Sequence, residues 1–589
     1  MKSKKTRALL KRTAVVATVF GLVAGTIPAN SGLTAVSNAA DAGVYKLQNT
    51  GFQNNTLQQT QYGLIDGVTN DVYSTMGWLG VPYAAPPVGE LRWKAPREPE
   101  AWTGIRAAKT FASNSLQLSG QKIVGSEDSL YLNIWRPDTK ETNLPVMVFF
   151  HGGANMTGSG KDFQGEKLAR STNSIIITVN YRLGALGFFK NSQLATGNAL
   201  DDSGNYGLLD MFRALEWVQD NIEGFGGNKN NVTLAGQSAG ARDVLAALIS
   251  PLSKGLYHKA IAFSGGLTTA APEDGERKSK EVLAQLALED GKANSLDNAK
   301  AWISKLSSSQ MDAYVRSLSA DRLVKAFGST AIRMEPFPHL FRDGTVIPKE
   351  GFDALDQGNY NKVPVLLGSL ETEFSGFAFG DPNFAPSIND GTLFTDSTKG
   401  AQYAAALKYG SEMYAGFNAE RVAERLTAVE GQPSVYAYRF AWGAQEGVIS
   451  DRLHTLLGAP HGADLDFYTG RADGIASYFP QGYFTEDNLQ GRLELSAAMN
   501  SYLKQFLYTG NPGTGAKGDL EAWTPWTAED GKERIMKFDG DKEQAIIGMS
   551  EDYNGDKEAV LEKMKKDLPE DTYQLLTEDV LKGRFFWDY

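Results

Sequence analysis

The chain of 589 residues is 42% hydrophobic and 22% charged, the balance of a globular protein with a large core, which excludes disordered and collagen-like chains. It has no cysteine, so structural disulfides, thiolate metal sites, iron–sulfur clusters and cysteine nucleophiles are excluded, and five histidines leave little room for a histidine-rich metal centre. A formal charge of −11 argues against nucleic-acid binding, which needs clustered Lys and Arg, and favours a small or neutral substrate.

Met1 to Arg12 contains six basic residues and no acid, and an apolar run follows from Ala14 to Ile27. These are the two halves of an export signal. The run is interrupted by Gly21 and Gly25 and falls short of the roughly 20 apolar residues of a membrane-spanning helix. Small residues at Ser37 and Ala39 predict cleavage after Ala39, with Ala40 a near-equivalent position. The expectation is a signal over residues 1–39, one mature domain over 40–589, an extracellular bacterial location, and no stable membrane insertion after cleavage.

Short β-branched and aromatic runs then alternate with amphipathic helical segments, the pattern of a mostly parallel sheet covered by helices. Val146 to Phe150 reads as a buried strand, followed by a glycine-rich loop from His151 to Gly160. Ile175 to Val179 is the next strand. Leu208, Phe212, Leu215, Val218 and Ile222 mark one face of a helix. Asn231 to Ala235, Ala260 to Phe263, Val363 to Leu367 and Val435 to Phe440 are further strands. The segment from Lys557 to Asp588 reads as a charged packing helix with a solvated face.

Gly236-Gln-Ser-Ala-Gly240 stands directly between a strand and the helix-forming run Ala241 to Ile249. That is the strand-turn-helix setting of a nucleophile elbow, with Ser238 lifted clear of the sheet. A serine hydroxyl needs a base within hydrogen-bond reach and donors for the oxyanion of a tetrahedral intermediate. In this setting the acid and then the histidine follow the serine in the chain. His461, in the loop-like Ala459-Pro-His-Gly-Ala463, is the leading base and His454 the runner-up. His258 reads as a surface residue and His339 lies in an irregular stretch. The acid is Glu373 or its neighbour Glu371, just after the Val363 strand. Ala239 and the His151-Gly-Gly-Ala154 loop are the expected oxyanion donors. Gly158-Ser-Gly-Lys161 is not a phosphate loop, because Asp162 stands where Ser or Thr is needed and Asn155 where the first Gly is needed.

With these residues assigned, the sequence resembles the type-B carboxylesterase family, the group that includes the cholinesterases and bacterial para-nitrobenzyl esterases. The resemblance rests on Gly80 to Pro96, Glu127 to Asn133, Val179-Asn-Tyr-Arg-Leu-Gly184, Phe225-Gly-Gly-Asn228, the pentapeptide, Gly255 to Ala260 with Ser264-Gly265, and His461-Gly462, all in the family's order. It implies a single α/β-hydrolase domain whose insertions form an active-site gorge, with no cofactor and no metal. Ser238 would be nucleophile, Glu373 acid and His461 base, with Gly153, Ala154 and Ala239 as oxyanion donors and Ser264 hydrogen-bonded beside the triad. Several positions depart from the family pattern. Ser129 replaces a disulfide cysteine, Gln237 a Glu before the nucleophile, Phe374 the Gly after the acid, Met211 a Gln, and Asp464 a Glu after the histidine, where it is expected to support the triad from behind.

The expected activity is cleavage of small carboxylic esters through an acyl-enzyme. A lipase working at a lipid interface is the second reading, and a non-catalytic adhesion module of the same fold the third. Phe374, Phe377 and Phe379 follow the acid and are read equally as pocket lining or as core.

Overall fold

The computed structural model describes residues 51–328, 337–471, 474, 482–529 and 531–587. The expected export signal lies outside the described residues, and Leu47–Tyr589 forms one compact unit.

The main sheet has 11 strands. In chain order they are β1 (Val68–Asn70), β2 (Thr75–Pro82), β3 (Tyr131–Pro137), β4 (Leu144–Phe150), β5 (Ile175–Val179), β6 (Gly227–Gln237), β7 (Lys259–Phe263), β8 (Val365–Leu370), β9 (Val435–Phe440), β10 (Ile535–Gly540) and β11 (Ala545–Ser550). Across the sheet they lie in the order β11-β10-β9-β8-β7-β6-β4-β5-β3-β2-β1. The seven strands from β10 to β5 pair in parallel, and both edges are antiparallel.

The central strands read as unbroken apolar runs because helices cover both faces. In β4, Val146, Val148 and Phe150 join the core on one side of the sheet, while Met147 and Phe149 join the core on the other. In β5, Ile175, Ile177 and Val179 divide from Ile176 in the same way. The helix expected around Leu208 spans Tyr206–Asn221 and buries Leu208, Phe212, Leu215 and Val218 on the first core. Met211 is buried beside them, a packing residue.

Every strand expected in the central region is present, with bounds moved by a few residues: the Val363 strand begins at Val365 and runs to Leu370. The C-terminal segment differs more. The helix Lys557–Asp567 stops, and the chain continues through a short α-helix at Glu570–Gln574, a π-helical stretch at Leu575–Val580 and a 3₁₀ turn at Phe585–Trp587. Leu576, Val580, Leu581 and Phe586 are buried in the second core, so this segment is docked on the body rather than solvated.

Candidate active site

Strand β6 ends at Gln237 and the next helix begins at Ala239. Ser238 alone makes the turn, with φ 55° and ψ −118°. Left-handed backbone at a non-glycine residue is strained and persists only where the surroundings enforce it. Here the Ser238 amide donates to the Phe263 carbonyl at 2.8 Å, and its own carbonyl accepts the first helical bond from Arg242 at 3.0 Å. The flanking glycines have a steric reason. A Cβ at Gly236 would lie 2.4 Å from the carbonyl carbon of Gly240, and one at Gly240 would lie 2.2 Å from the Phe150 carbonyl oxygen.

Glu373 follows β8 and is fully buried. One carboxylate oxygen accepts from the Leu370 amide at 2.7 Å and the Ser264 hydroxyl at 3.1 Å; the other accepts from Nδ1 of His461. Ser264 is held by its own left-handed backbone at the end of β7, where its amide donates to the Gly368 carbonyl. The carboxylate thereby fixes the imidazole proton on Nδ1 and leaves the Nε2 lone pair as acceptor. In this structure Nε2 accepts from the side-chain amide of Gln237 at 3.1 Å. The ring of Phe377 lies against the imidazole, centroids 5.0 Å apart.

Of Glu371 and Glu373, only Glu373 meets a histidine among the described residues. The other histidines are spent on backbone groups. His454 meets the Gly443 carbonyl, His258 the Val232 amide and His339 the Phe337 carbonyl. Asp464 is buried behind the pair and accepts from the Tyr438 hydroxyl, not from His461. Burial and the Glu373 charge push its carboxyl up to about 6.

The loop after β4 turns through left-handed backbone at Gly153, Ala154 and Asn155. The Gly153 carbonyl is tied back by the amides of Met156 and Thr157, both at 2.9 Å. The family segment Val179–Gly184 proves to be the loop's support. Tyr181 donates to the His151 carbonyl at 2.8 Å and stacks on the His151 ring at 4.5 Å, while Asn180 accepts from the Gly160 amide at 2.8 Å. Burial pushes His151 down to about 4, so it packs as a neutral ring. Gln117, which the sequence offered no signal for, grips Gly158 at both its amide and its carbonyl, each at 2.8 Å. Asn155 bridges to Asp243 on the Ala239–Ile249 helix at 2.9 Å, joining the loop to the elbow.

Ala239 is the first residue of that helix, so its amide has no intrahelical acceptor and lies at the positive end of the helix dipole. Gly153, Ala154, Ser238 and His461 share the wall of one cavity of about 200 Å³. Phe377 also lines it, whereas Phe374 is fully buried core and Phe379 packs partly buried beside that core. A nucleophile on a strained turn, an imidazole oriented by a carboxylate, and amide donors around the same small space are the parts of an acyl-transfer site.

The family model described as the carboxylesterase family matches residues 54–390. A para-nitrobenzyl esterase of Bacillus subtilis (strain 168) is 32% identical over 491 residues, covering 78% of this chain and 90% of that protein. Carboxylesterase 1E of Mus musculus is 28% identical over 520 residues, covering 82% of this chain and 89% of that protein. The solved structure of a PNB esterase superposes with a TM-score of 0.64 at 30% identity, over 84% of this chain and 97% of its own. Architecture, site geometry and these likenesses agree: the chain belongs to the carboxylesterase family and is a carboxylic ester hydrolase with the α/β-hydrolase fold.

Proposed function

We propose that Ser238 is the nucleophile of an acyl-enzyme mechanism, His461 its general base and Glu373 the acid that holds and stabilises the imidazolium. The observation that carries this reading is the Glu373–His461 contact set beside a left-handed Ser238 in one cavity. Ser238 Oγ attacks the ester carbonyl as its proton passes to His461 Nε2, for which the Gln237 amide must yield the lone pair it occupies in the resting site. The oxyanion is met by the amides of Gly153, Ala154 and Ala239. His461 then returns the proton to the leaving alcohol, and water repeats the sequence to free the acid.

The substrates are small soluble esters, of the kind the name para-nitrobenzyl esterase describes for the bacterial relative. One observation supports this over interfacial lipolysis. The large exposed apolar side chains are scattered from Leu57 to Tyr553, and none of them lines this cavity. Export belongs to the same proposal, supported by the basic and apolar N-terminal run and the small residues at Ser37 and Ala39.

The test is a series of p-nitrophenyl esters from acetate to palmitate, with and without emulsified substrate. Short-chain turnover should fall about 10⁶-fold in Ser238→Ala, since triad members act as a unit. Wild-type turnover in that variant would overturn the assignment, and rate enhancement at the emulsion interface would make the protein a lipase.

A further inference from the structure

The C-terminal segment lies beyond the residues the family model matches. Its end enters the site. Val580, Leu581 and Phe586 are buried, and Phe586 packs edge-on to Tyr414 with centroids 4.8 Å apart and to Phe374 at 6.4 Å. The buried Arg584 pairs with the fully buried Asp381 at 2.8 Å and lies over the Phe374 ring at 5.0 Å. Phe374, which departs from the family's glycine beside the acid, is therefore the floor on which the segment docks. Phe585 stacks under the Arg242 guanidinium at 3.6 Å and parallel to Phe417, centroids 6.4 Å apart.

Docked in this way, Arg584 and Phe585 form part of the wall of the Ser238 cavity. The same two residues line a second cavity of about 510 Å³ with Phe337 and His339. Phe586 and Trp587 line a third, of about 570 Å³, with Leu267 and Phe417. The segment is thus a partition between the reaction cavity and the empty space on this side, while on another side a cavity of about 630 Å³ shares Gly153, Thr157, Gln237 and His461 with it and leaves room there for the alcohol part of an ester.

We propose that Phe585 is a specificity-determining residue, a wall that limits the esters reaching Ser238 to those with short acyl chains. The inference rests on Ser238 being the nucleophile. Arg242, on the helix that Ser238 caps, and Phe417 hold the ring in place, so the size limit is built by side chains far apart in the chain. Shortening the ring opens the reaction cavity into the 510 Å³ space and gives a long chain somewhere to lie.

The experiment compares kcat/KM for p-nitrophenyl acetate and p-nitrophenyl decanoate in the full chain and in Phe585→Ala and Phe585→Leu. The decanoate-to-acetate ratio should rise about tenfold or more in the alanine variant and by a smaller factor in the leucine variant. A ratio is independent of how much enzyme is folded, so a merely structural role lowers both rates and leaves it unchanged. A ratio within twofold of wild type in Phe585→Ala where that variant folds, or no rise at all in Phe585→Leu, overturns the proposal. Ser238→Ala run in parallel separates the two readings: acetate turnover surviving there removes the nucleophile assignment, whatever the ratios do.

Discussion

Asp243 shows how a single buried group ties the site to stability. It sits one helical turn after Ser238, accepts from Asn155, and is almost wholly removed from solvent. Burial raises its carboxyl from the ordinary 3.8 to about 7, against the lowering effects of the Asn155 bond and the Arg242 charge. A carboxyl raised in the folded state contributes stability that is complete below its unfolded value and is lost as pH rises through the folded one. The window runs from about pH 4 to about pH 7. Asp243→Asn copies the protonated form and keeps an acceptor for Asn155. It should therefore be more stable than the native chain at pH 8, by about 2–4 kcal/mol, with the difference vanishing towards pH 4. Denaturant unfolding at the two pH values measures this, and a pH-independent difference would show that Asp243 is ionised throughout.

Residue identity was legible where chemistry restricts it. Ser238 and His461 stand in motifs whose spacing follows from a tight turn and a short loop. Glu373 was not separable from Glu371 in the sequence, because both follow the same strand and the distinction lies in which carboxylate reaches His461. Gln237 was read as a lost negative charge, and its bond to the base was invisible because it joins positions 224 residues apart.

At the scale of elements, the site is built from loops that strands hold in register and that other loops brace. Tyr181 and Asn180, at the end of β5, hold the glycine-rich loop that follows β4. Ser129 stands where the resemblance to the family implies a disulfide cysteine. Its hydroxyl lies 3.0 Å from that of Ser115, with both residues buried. The two hydroxyls keep the contact without the covalent bond. The double variant S115C/S129C should close a bridge between residues 14 apart and stabilise the chain by about 3 kcal/mol when oxidised. Thiol titration and the oxidised-against-reduced difference in Tm check it. Free thiols after mild oxidation would mean that the two backbones are held too far apart.

For the whole molecule, a cysteine-free chain has no disulfide to stabilise it, and the two cores on either side of the sheet supply the burial that does. Among the described residues no helix is long and apolar enough to cross a membrane. The export proposal is tested by expressing the full chain in a bacterial host and sequencing the N-terminus of protein recovered from the medium. A start at Ala40 or Asp41 is expected, and retention in the cell with Met1 or Lys2 at the N-terminus would overturn it.

The sequence by itself determined the alternation of strands and helices, the strand-turn-helix at Ser238, the loop that carries His461 and the glycine-rich loop after β4. Each of these is a local requirement: burial on both faces, a turn too tight for a Cβ, close approach of backbone amides. Tertiary structure decided which carboxylate meets the histidine, which side chains brace the loop and where the C-terminal segment ends. That segment reads as a charged packing helix because its composition records only the helix Lys557–Asp567. The placement of Arg584 on Asp381 and of Phe585 under Arg242 depends on partners more than 200 residues away. No local pattern encodes such contacts, since a buried ion pair and a ring packed on a guanidinium leave no periodicity in the chain.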